Sequence, residues 1–380
     1  MAGAIENSPD LLDEMMADLA AYDGPLGPGP YWAENQRATL DWLARNDLNR
    51  FRVYQRYVKA LSNFGGGSRW RSYAEVAAER RRLHESILYR AGETLGIAPV
   101  KNWYRSRIRD LAREMHAQLM IIGLMETLLR ERDPAGELKR VEMTPVGMPS
   151  DLITIDGRLY TPKFLDEFFK YLDMKQRIDF ASVETVVEVG PGVGTFAELL
   201  AKLEPRRRIY LIDIPPQLYV TQQVLSAALP GEVAGYRQIK RDPGVLAARD
   251  QRIYILAPWQ VDQLNLPSVD LAFNQVSFSE MRKETVQAYL SYFDRWRVRD
   301  VNIRAADVKK RADGPEIDDY AGFLPNHELV ARVPVKHQGS ARPAGPETRD
   351  TGRTASALYF RLRESGSSGA TTTGRHAALR

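Results

Sequence analysis

Val183-Glu184-Thr185-Val186-Val187-Glu188-Val189-Gly190-Pro191-Gly192-Val193-Gly194-Thr195-Phe196-Ala197-Glu198-Leu199-Leu200 is the stretch whose reading decides the fold. Val183 to Val189 is mostly apolar and β-branched, the composition of a strand buried on both faces of a parallel sheet. Gly190, Gly192 and Gly194 follow at alternate positions, and from Thr195 onward Phe196, Leu199, Leu200 and Leu203 fall on one side of a helix. Strand, glycine turn and helix in that order let a nucleotide-like ligand approach bare backbone at a helix N-terminus. A second apolar run, Arg208 to Ile214, carries Asp213 near its end. Asp213 lies about 20 residues past the turn, where Rossmann-type folds place a carboxylate that accepts from both ribose hydroxyls. Alone, ahead of Pro215-Pro216, it also reads as a helix N-cap. Paired with the glycine turn, it reads as a ribose ligand.

The glycine steps are two and two, whereas a dinucleotide fingerprint places its third glycine three residues after the second. With Glu188 two residues ahead, E-x-G-x-G-x-G after a buried strand resembles motif I of the Rossmann-like, class I methyltransferases that use S-adenosyl-L-methionine (SAM). The resemblance implies that the turn passes under the amino-acid part of SAM and that Glu188 helps hold that end.

Composition bounds the rest. The chain has 380 residues, 44% hydrophobic and 27% charged, enough for two domains with an ordinary globular core. It has no cysteine, which excludes disulfides and thiolate metal sites. No apolar run approaches membrane-spanning length, and the acidic N-terminal stretch is unlike a signal peptide, so a soluble cytoplasmic protein is expected. The net charge of +4 comes from basic residues scattered among 49 acids, not from a basic groove, which argues against a nucleic-acid partner.

Residues 1–145 read as an α-helical module. A first helix runs from Leu11 to Ala20, and Y-D-G-P-L-G-P-G-P, ending at Pro30, then breaks it. Helical stripes follow at Trp32, Leu40, Trp42 and Leu43; at Phe51, Tyr54, Tyr57, Val58 and Leu61, stopped by Gly65-Gly66-Gly67; at Trp70, Tyr73, Val76, Leu83, Ile87 and Leu88; and at Ile108, Leu111, Met115, Leu119, Ile122 and Leu129. These apolar residues read as core. As a unit, the module is expected to cover a pocket or to make a homodimer contact.

Residues 146–364 read as the catalytic α/β domain, with helices on both faces of a Rossmann-like sheet. Glu142 to Gly157 is a Pro- and Gly-rich linker. Thr161-Pro162 starts a helix with Thr as N-cap, and its buried stripe is Phe164, Leu165, Phe168, Phe169 and Leu172. Further strands are expected at Arg252 to Ala257, Val269 to Asn274, Asp300 to Ile303 and, antiparallel at the sheet edge, Leu358 to Leu362. Helices are expected at Gln217 to Ala228 and Glu284 to Trp296. Residues 365–380, rich in Gly, Ser and Thr, read as a disordered tail.

Ligands of such sheets bind beyond the carboxyl ends of the strands. Residues expected there are the glycine turn, Asp213, Trp259, Gln260 and the run Asn274 to Met281, which offers an amide, two hydroxyls and a carboxylate. V-D-L-A-F-N-Q-V-S-F-S-E-M at Val269 to Met281, V-x-x-Y-L at Val286 to Leu290, and the lead-in G-M-P-S-D-L-I-T-I-D-G-R-L-Y-T at Gly147 to Thr161 resemble the bacterial sugar O-methyltransferases of natural-product tailoring. The resemblance covers roughly Gly147 to Trp296 and implies a small-molecule acceptor, a sugar hydroxyl or a related group. In-line methyl transfer chiefly needs positioning of donor and acceptor, and an oxygen acceptor also needs a base.

Glu280 is the first candidate base, although Ser277-x-x-Glu280 also reads as a capping box. Ser277 and His327, the latter in a loop after the Asp300 strand, complete the catalytic candidates. No histidine pair has metal-ligand spacing and no D-x-D pair occurs, so no metal is expected. Two alternatives stand beside the leading reading. One is a C- or N-methyltransferase of an aromatic, indole-like compound, suited to the Trp and Tyr content of the N-terminal module. The other is a nucleic-acid methyltransferase, against which stands the absence of an N-P-P-Y-type block at Asn274. A non-catalytic binding protein of the same fold is a third class.

Overall fold

A computed structural model describes residues 4–54, 73–149, 152–248, 250–307, 311–335 and 355–363. The expected stripe at Tyr57, Val58 and Leu61, the stop at Gly65-Gly66-Gly67, Trp70 and the tail 365–380 lie outside the described residues.

The expected strand over Val183 to Val189 forms as β3 (Thr185–Val189), buried along its whole length. Apolar side chains cover both of its faces, so it must lie inside a sheet with helices above and below. It pairs in parallel with β4 (Arg208–Ile212) on one side and β7 (Leu271–Gln275) on the other. The sheet continues outward through β6 (Ile253–Leu256) to the short β5 (Val233–Ala234), and in the other direction through β8 (Asp300–Ala306) to β10 (Ala355–Leu362) and β9 (His327–Val335). The order is therefore β5-β6-β4-β3-β7-β8-β10-β9. Strands β5 to β8 join parallel, and β10 is antiparallel to both neighbours. The chain winds outward from β3 in one direction and then returns to continue from β7, so strand order reverses between β3 and β7. This is the doubly wound Rossmann-like sheet that the sequence leads one to expect.

Strand alternation sorts the faces. Val186, Ile209, Leu211, Leu271, Phe273, Ala357 and Tyr359 pack on one side with α6 (Pro162–Lys175), α7 (Thr195–Leu203) and α8 (Gln217–Ala228). Val187, Val189, Tyr210, Ile212, Ala272, Val301 and Ile303 face α9 (Tyr236–Arg241) and α10 (Lys283–Arg295). Helix α6 begins as the sequence indicates: the Thr161 hydroxyl accepts from the Phe164 N–H at 3.1 Å, and Pro162 occupies the first turn.

The N-terminal helices are α1 (Pro9–Ala21), α2 (Pro30–Leu43), α3 (Tyr73–Glu85), α4 (Ile87–Leu95) and the long α5 (Ala98–Arg132). Leu11, Leu12 and Met15 of α1 join the core on the α8 side. Asp10, Glu14 and Asp18, spaced one turn apart, face Arg237 and Lys240 of α9; Arg237 meets Asp10 at 2.7 Å and Lys240 meets Glu14 at 3.0 Å. The apolar contacts carry the docking, because exposed pairs of this kind are screened by solvent and contribute little.

Four expectations need correction. The Glu142 to Gly157 stretch is not a bare linker: it leads into an antiparallel hairpin of β1 (Ile153–Ile155) and β2 (Arg158–Tyr160), turned at Asp156 and Gly157, both at positive φ. His327 lies not in a loop but at the start of β9, whose one-sided burial hid it from a search for apolar runs. Strand β10 is antiparallel as expected but sits inside the sheet, with β9 at the edge. Ile87 and Leu88, read as core, are 83% and 65% exposed, because α4 touches α5 through its other side.

Candidate functional site

Where strand order reverses, helices leave in opposite directions and a crevice opens beyond the strand ends. A cavity of about 780 Å³ lies there, within the size range of small-molecule sites. Its floor is the turn from Val189 to Val193. Gly190, Gly192 and Gly194 all have left-handed backbone, with φ of 76°, 60° and 77°. A Cβ on Gly190 would stand 2.2 Å from the Ser277 Oγ, so glycine is required there by contact as well as by backbone. The Thr221 hydroxyl donates to the Gly192 carbonyl and ties the turn to α8.

Asp213, at the end of β4, enters the same cavity. It does not cap α8, whose N-cap is Pro216, so the capping alternative fails. Its carboxylate accepts from the Ile214 N–H at 2.8 Å and from the Gly192 backbone. Its pKa is raised from the ordinary 3.8 to about 7, chiefly by burial, with the two backbone bonds opposing the rise and the charge of Glu280 adding to it.

Glu188 is 2% exposed and faces the α6 side. Burial holds its carboxyl well above the usual range; the charges of Glu167 and Asp213 add to this, and Lys170 opposes it. Among the described residues its Oε2 has no hydrogen-bond partner, nor do the Thr195 hydroxyl and both polar atoms of the Gln217 amide. All of these residues line the cavity. Buried polar atoms are normally satisfied, so a group of orphans around one hollow marks the place of a polar ligand. Bare turn, carboxylate at the neighbouring strand end and unsatisfied donors and acceptors between them fit a nucleoside with an amino-acid tail.

The Asn274 to Met281 run divides in two. Asn274 is fully buried and is a brace: its Nδ2 donates to the Val189 carbonyl at 2.8 Å and to the Ser277 Oγ at 2.5 Å, and its Oδ1 accepts from the Phe278 N–H at 3.0 Å. It fixes the strand end that launches the glycine turn and does not line the cavity. Gln275, Val276, Ser277, Glu280 and Met281 do line it. Val276 has φ 75°, rare for a β-branched residue, and is held by its N–H to the Arg304 carbonyl at 2.9 Å. The Ser277–Glu280 turn is a single 3₁₀ turn whose start, at Val276, has no side-chain cap.

Three expected site residues stand elsewhere. Trp259 donates its indole N–H to the Tyr236 hydroxyl at 2.9 Å and packs near Tyr22, away from the cavity lining. Gln260 accepts from the Ala257 N–H at 2.9 Å and closes its own 3₁₀ turn. Gln260 thus satisfies the backbone after β6, and Trp259 braces Tyr236. His327 is buried with Nε2 2.7 Å from the Val298 carbonyl. Val298 precedes β8, so His327 lies at the opposite end of the sheet from the crevice.

The cavity also recruits residues that the motifs did not mark. Leu26, Gly27, Pro28, Gly29 and Trp32 close one side, so the helix-breaking segment forms a wall. It is clasped there by the Thr285 hydroxyl, which donates to the Pro25 carbonyl at 3.0 Å, and by Gln36, which donates to the Pro215 carbonyl at 2.6 Å. Helix α6 contributes Lys163, Asp166, Glu167, Lys170 and Asp173, a polar stripe at helical spacing beside its apolar one. Glu167 pairs with Lys163 and, at 3.0 Å, with Lys170; Lys170 also reaches the Gln275 Oε1 at 2.8 Å. Burial costs Glu167 its solvation, but the two ammonium groups outweigh this and hold its carboxyl well below the usual range. Among the described residues, no group of three His, Cys, Asp or Glu is placed to hold a metal ion, and no helix is long and apolar enough to cross a membrane.

No family model matches the sequence, and a search of curated proteins finds no match. Among solved structures, the chain is similar to the mitomycin 7-O-methyltransferase, at 14% identity and TM-score 0.35, over 63% of this chain and 60% of that one. It is also similar to the magnesium protoporphyrin IX methyltransferase of Synechocystis PCC 6803 with bound SAM, at 16% identity and TM-score 0.34, over 52% and 77% of the two chains. A third is the N-methyltransferase NodS of Bradyrhizobium japonicum WM9 in complex with S-adenosyl-L-homocysteine, at 16% identity and TM-score 0.33, over 53% and 88%.

Proposed function

We propose that this chain is a SAM-dependent methyltransferase acting on a small-molecule acceptor. The observation that carries the reading is the convergence on one cavity of two left-handed glycines, Gly190 and Gly192, of Asp213, and of polar atoms of Glu188, Thr195 and Gln217 that are unpartnered among the described residues. SAM, when bound, supplies a methyl group already activated by a sulfonium. The chain's residues then have to bind, orient and manage one proton. Ionised Asp213 accepts from the ribose hydroxyls, and a diol supplies both donors without a positive partner. Glu188 and the bare turn receive the amino-acid end. Glu280, on the 3₁₀ turn after β7, faces the cavity as the base for an oxygen acceptor, with Ser277 beside it. The 22–36 segment excludes water from one side.

A sugar hydroxyl or related natural-product group is the acceptor favoured by the sequence resemblance. A flat aromatic acceptor is the second reading, favoured by Trp32, Phe169, Tyr289 and Tyr359 in the lining. Calorimetric titration tests the reading. SAM and S-adenosylhomocysteine should bind saturably at one site, and Gly192→Arg, which fills the turn, should abolish binding. An absence of binding, or an affinity unchanged in Gly192→Arg, removes it.

A further inference from the structure

The far end of the cavity has a different character from the glycine turn. It lies between the C-terminal ends of α5 and α6 and the face of β8 and β10, and Arg132, Asp173, Arg177, Arg304 and Tyr359 line it. Arg304 projects from β8 beside Gln275, its register partner on β7, and is only 6% exposed. A buried guanidinium is costly unless it is paired. Its one ion pair among the described residues is a long one, 3.6 Å to the Asp173 Oδ2. Asp173 is already shared, since Arg132 pairs with its other oxygen. Arg177 has no carboxylate partner among the described residues and lies 5.1 Å over the Tyr359 ring. The other carboxylates of α6 are engaged, Glu167 with Lys163 and Lys170 and Asp166 with Lys170 at 3.0 Å. Three guanidiniums therefore stand around a hollow whose one available carboxylate, Asp173, pairs with two of them, Arg304 and Arg132. Rings hold two of the three: Arg177 on Tyr359 and Arg132, at 5.2 Å, on Phe169.

We propose that this end is an oxyanion pocket, in which Arg304, Arg132 and Arg177 receive a carboxylate or phosphate group of the acceptor. Planar guanidinium forks suit both groups, and stacking on fixed rings leaves little side-chain freedom to lose on binding. The pocket would select acidic acceptors and set the acceptor's orientation, which in a transfer of this kind sets the regiochemistry. The assignment to the acceptor rests on the methyltransferase reading; the anion site itself does not.

Sodium phosphate and sodium benzoate, each titrated at constant ionic strength into the full chain saturated with S-adenosylhomocysteine, test the proposal by calorimetry. One of them should bind saturably, and which one does separates a phosphoryl from a carboxylate acceptor. Arg304→Gln should weaken that binding about tenfold or more, the loss expected for charged hydrogen bonds, while Arg304→Lys keeps part of it. Arg177→Gln, at a half-buried position, should weaken it too and decides the matter if Arg304→Gln does not fold. Failure of both anions to bind, or unchanged binding in both Gln variants, overturns the pocket. So does competition between the anion and S-adenosylhomocysteine with weaker S-adenosylhomocysteine binding in Arg304→Gln, which would assign these arginines to the cofactor's own carboxylate. Anion binding that needs Arg304 in a chain that does not bind S-adenosylhomocysteine would keep the pocket and remove the methyltransferase reading. The reverse pattern would do the opposite.

Discussion

Asp213→Asn should make the protein more stable and less able to bind its cofactor. A carboxyl whose pKa rises from 3.8 to about 7 on folding holds its proton more tightly in the folded chain than in the unfolded one. Its stabilising contribution is complete below pH 3.8 and is lost as pH rises through 7, so at pH 8 the folded state carries the whole cost of a buried negative charge. A displacement of that size corresponds to about 4 kcal/mol. Asparagine is uncharged and keeps an oxygen for the Ile214 N–H, 2.8 Å away in the parent. It forfeits one of the two backbone bonds, about 1 kcal/mol. A gain of about 3 kcal/mol should remain at pH 8 and vanish near pH 4. Denaturant unfolding of the parent and the variant at both pH values measures it. In the same samples S-adenosylhomocysteine binding should weaken in the variant at pH 8. In the parent it should weaken about tenfold from pH 8 to pH 6, as Asp213 takes up its proton. A variant less stable than the parent at pH 8, or a gain independent of pH, would refute the claim that Asp213 is held buried against its solvation for the sake of a ligand.

Gly190→Ala places a Cβ at φ 76° and 2.2 Å from the Ser277 Oγ. It should cost about 2 kcal/mol or more in denaturant unfolding and abolish S-adenosylhomocysteine binding. Glu280→Gln should leave S-adenosylhomocysteine affinity unchanged while lowering kcat by about 100-fold or more on an oxygen acceptor; a loss below tenfold would make Glu280 an anchor and not a base. Trp259→Phe should cost about 1 kcal/mol of stability through its bond to Tyr236 and change cofactor affinity by less than twofold, checked by unfolding and calorimetry.

The sheet centre was legible because its residues answer only to local composition and to one period. The β-branched run of β3 favours an extended strand, the glycines after it tolerate the left-handed turn that other residues resist, and Thr161-Pro162 caps and opens α6. What failed was of two kinds. Trp259, Gln260 and Asn274 were rightly placed at strand ends, but position does not reveal direction: each side chain satisfies nearby backbone or packs behind the turn it was expected to decorate. The outer strands failed because β9 buries little of itself and β10 enters the sheet from outside the chain order. The far end of the cavity escaped because it is assembled from α5, α6, β8 and β10, which no contiguous motif joins. A signal was nonetheless present. An arginine inside the apolar run V-N-I-R-A-A is out of place in a buried parallel strand, and the polar stripe Lys163, Asp166, Glu167, Lys170, Asp173 repeats at helical spacing next to the apolar one.

A crystal structure of the chain with S-adenosylhomocysteine tests the central claim most directly. In that crystal the ribose hydroxyls should lie on Asp213, the amino-acid end over Gly190 to Gly194 beside Glu188, and the sulfur should face the Ser277–Glu280 turn. A ligand seated elsewhere, or a crystal grown with saturating ligand in which the crevice stays empty and Glu188, Thr195 and Gln217 have turned to partners of their own, would contradict it.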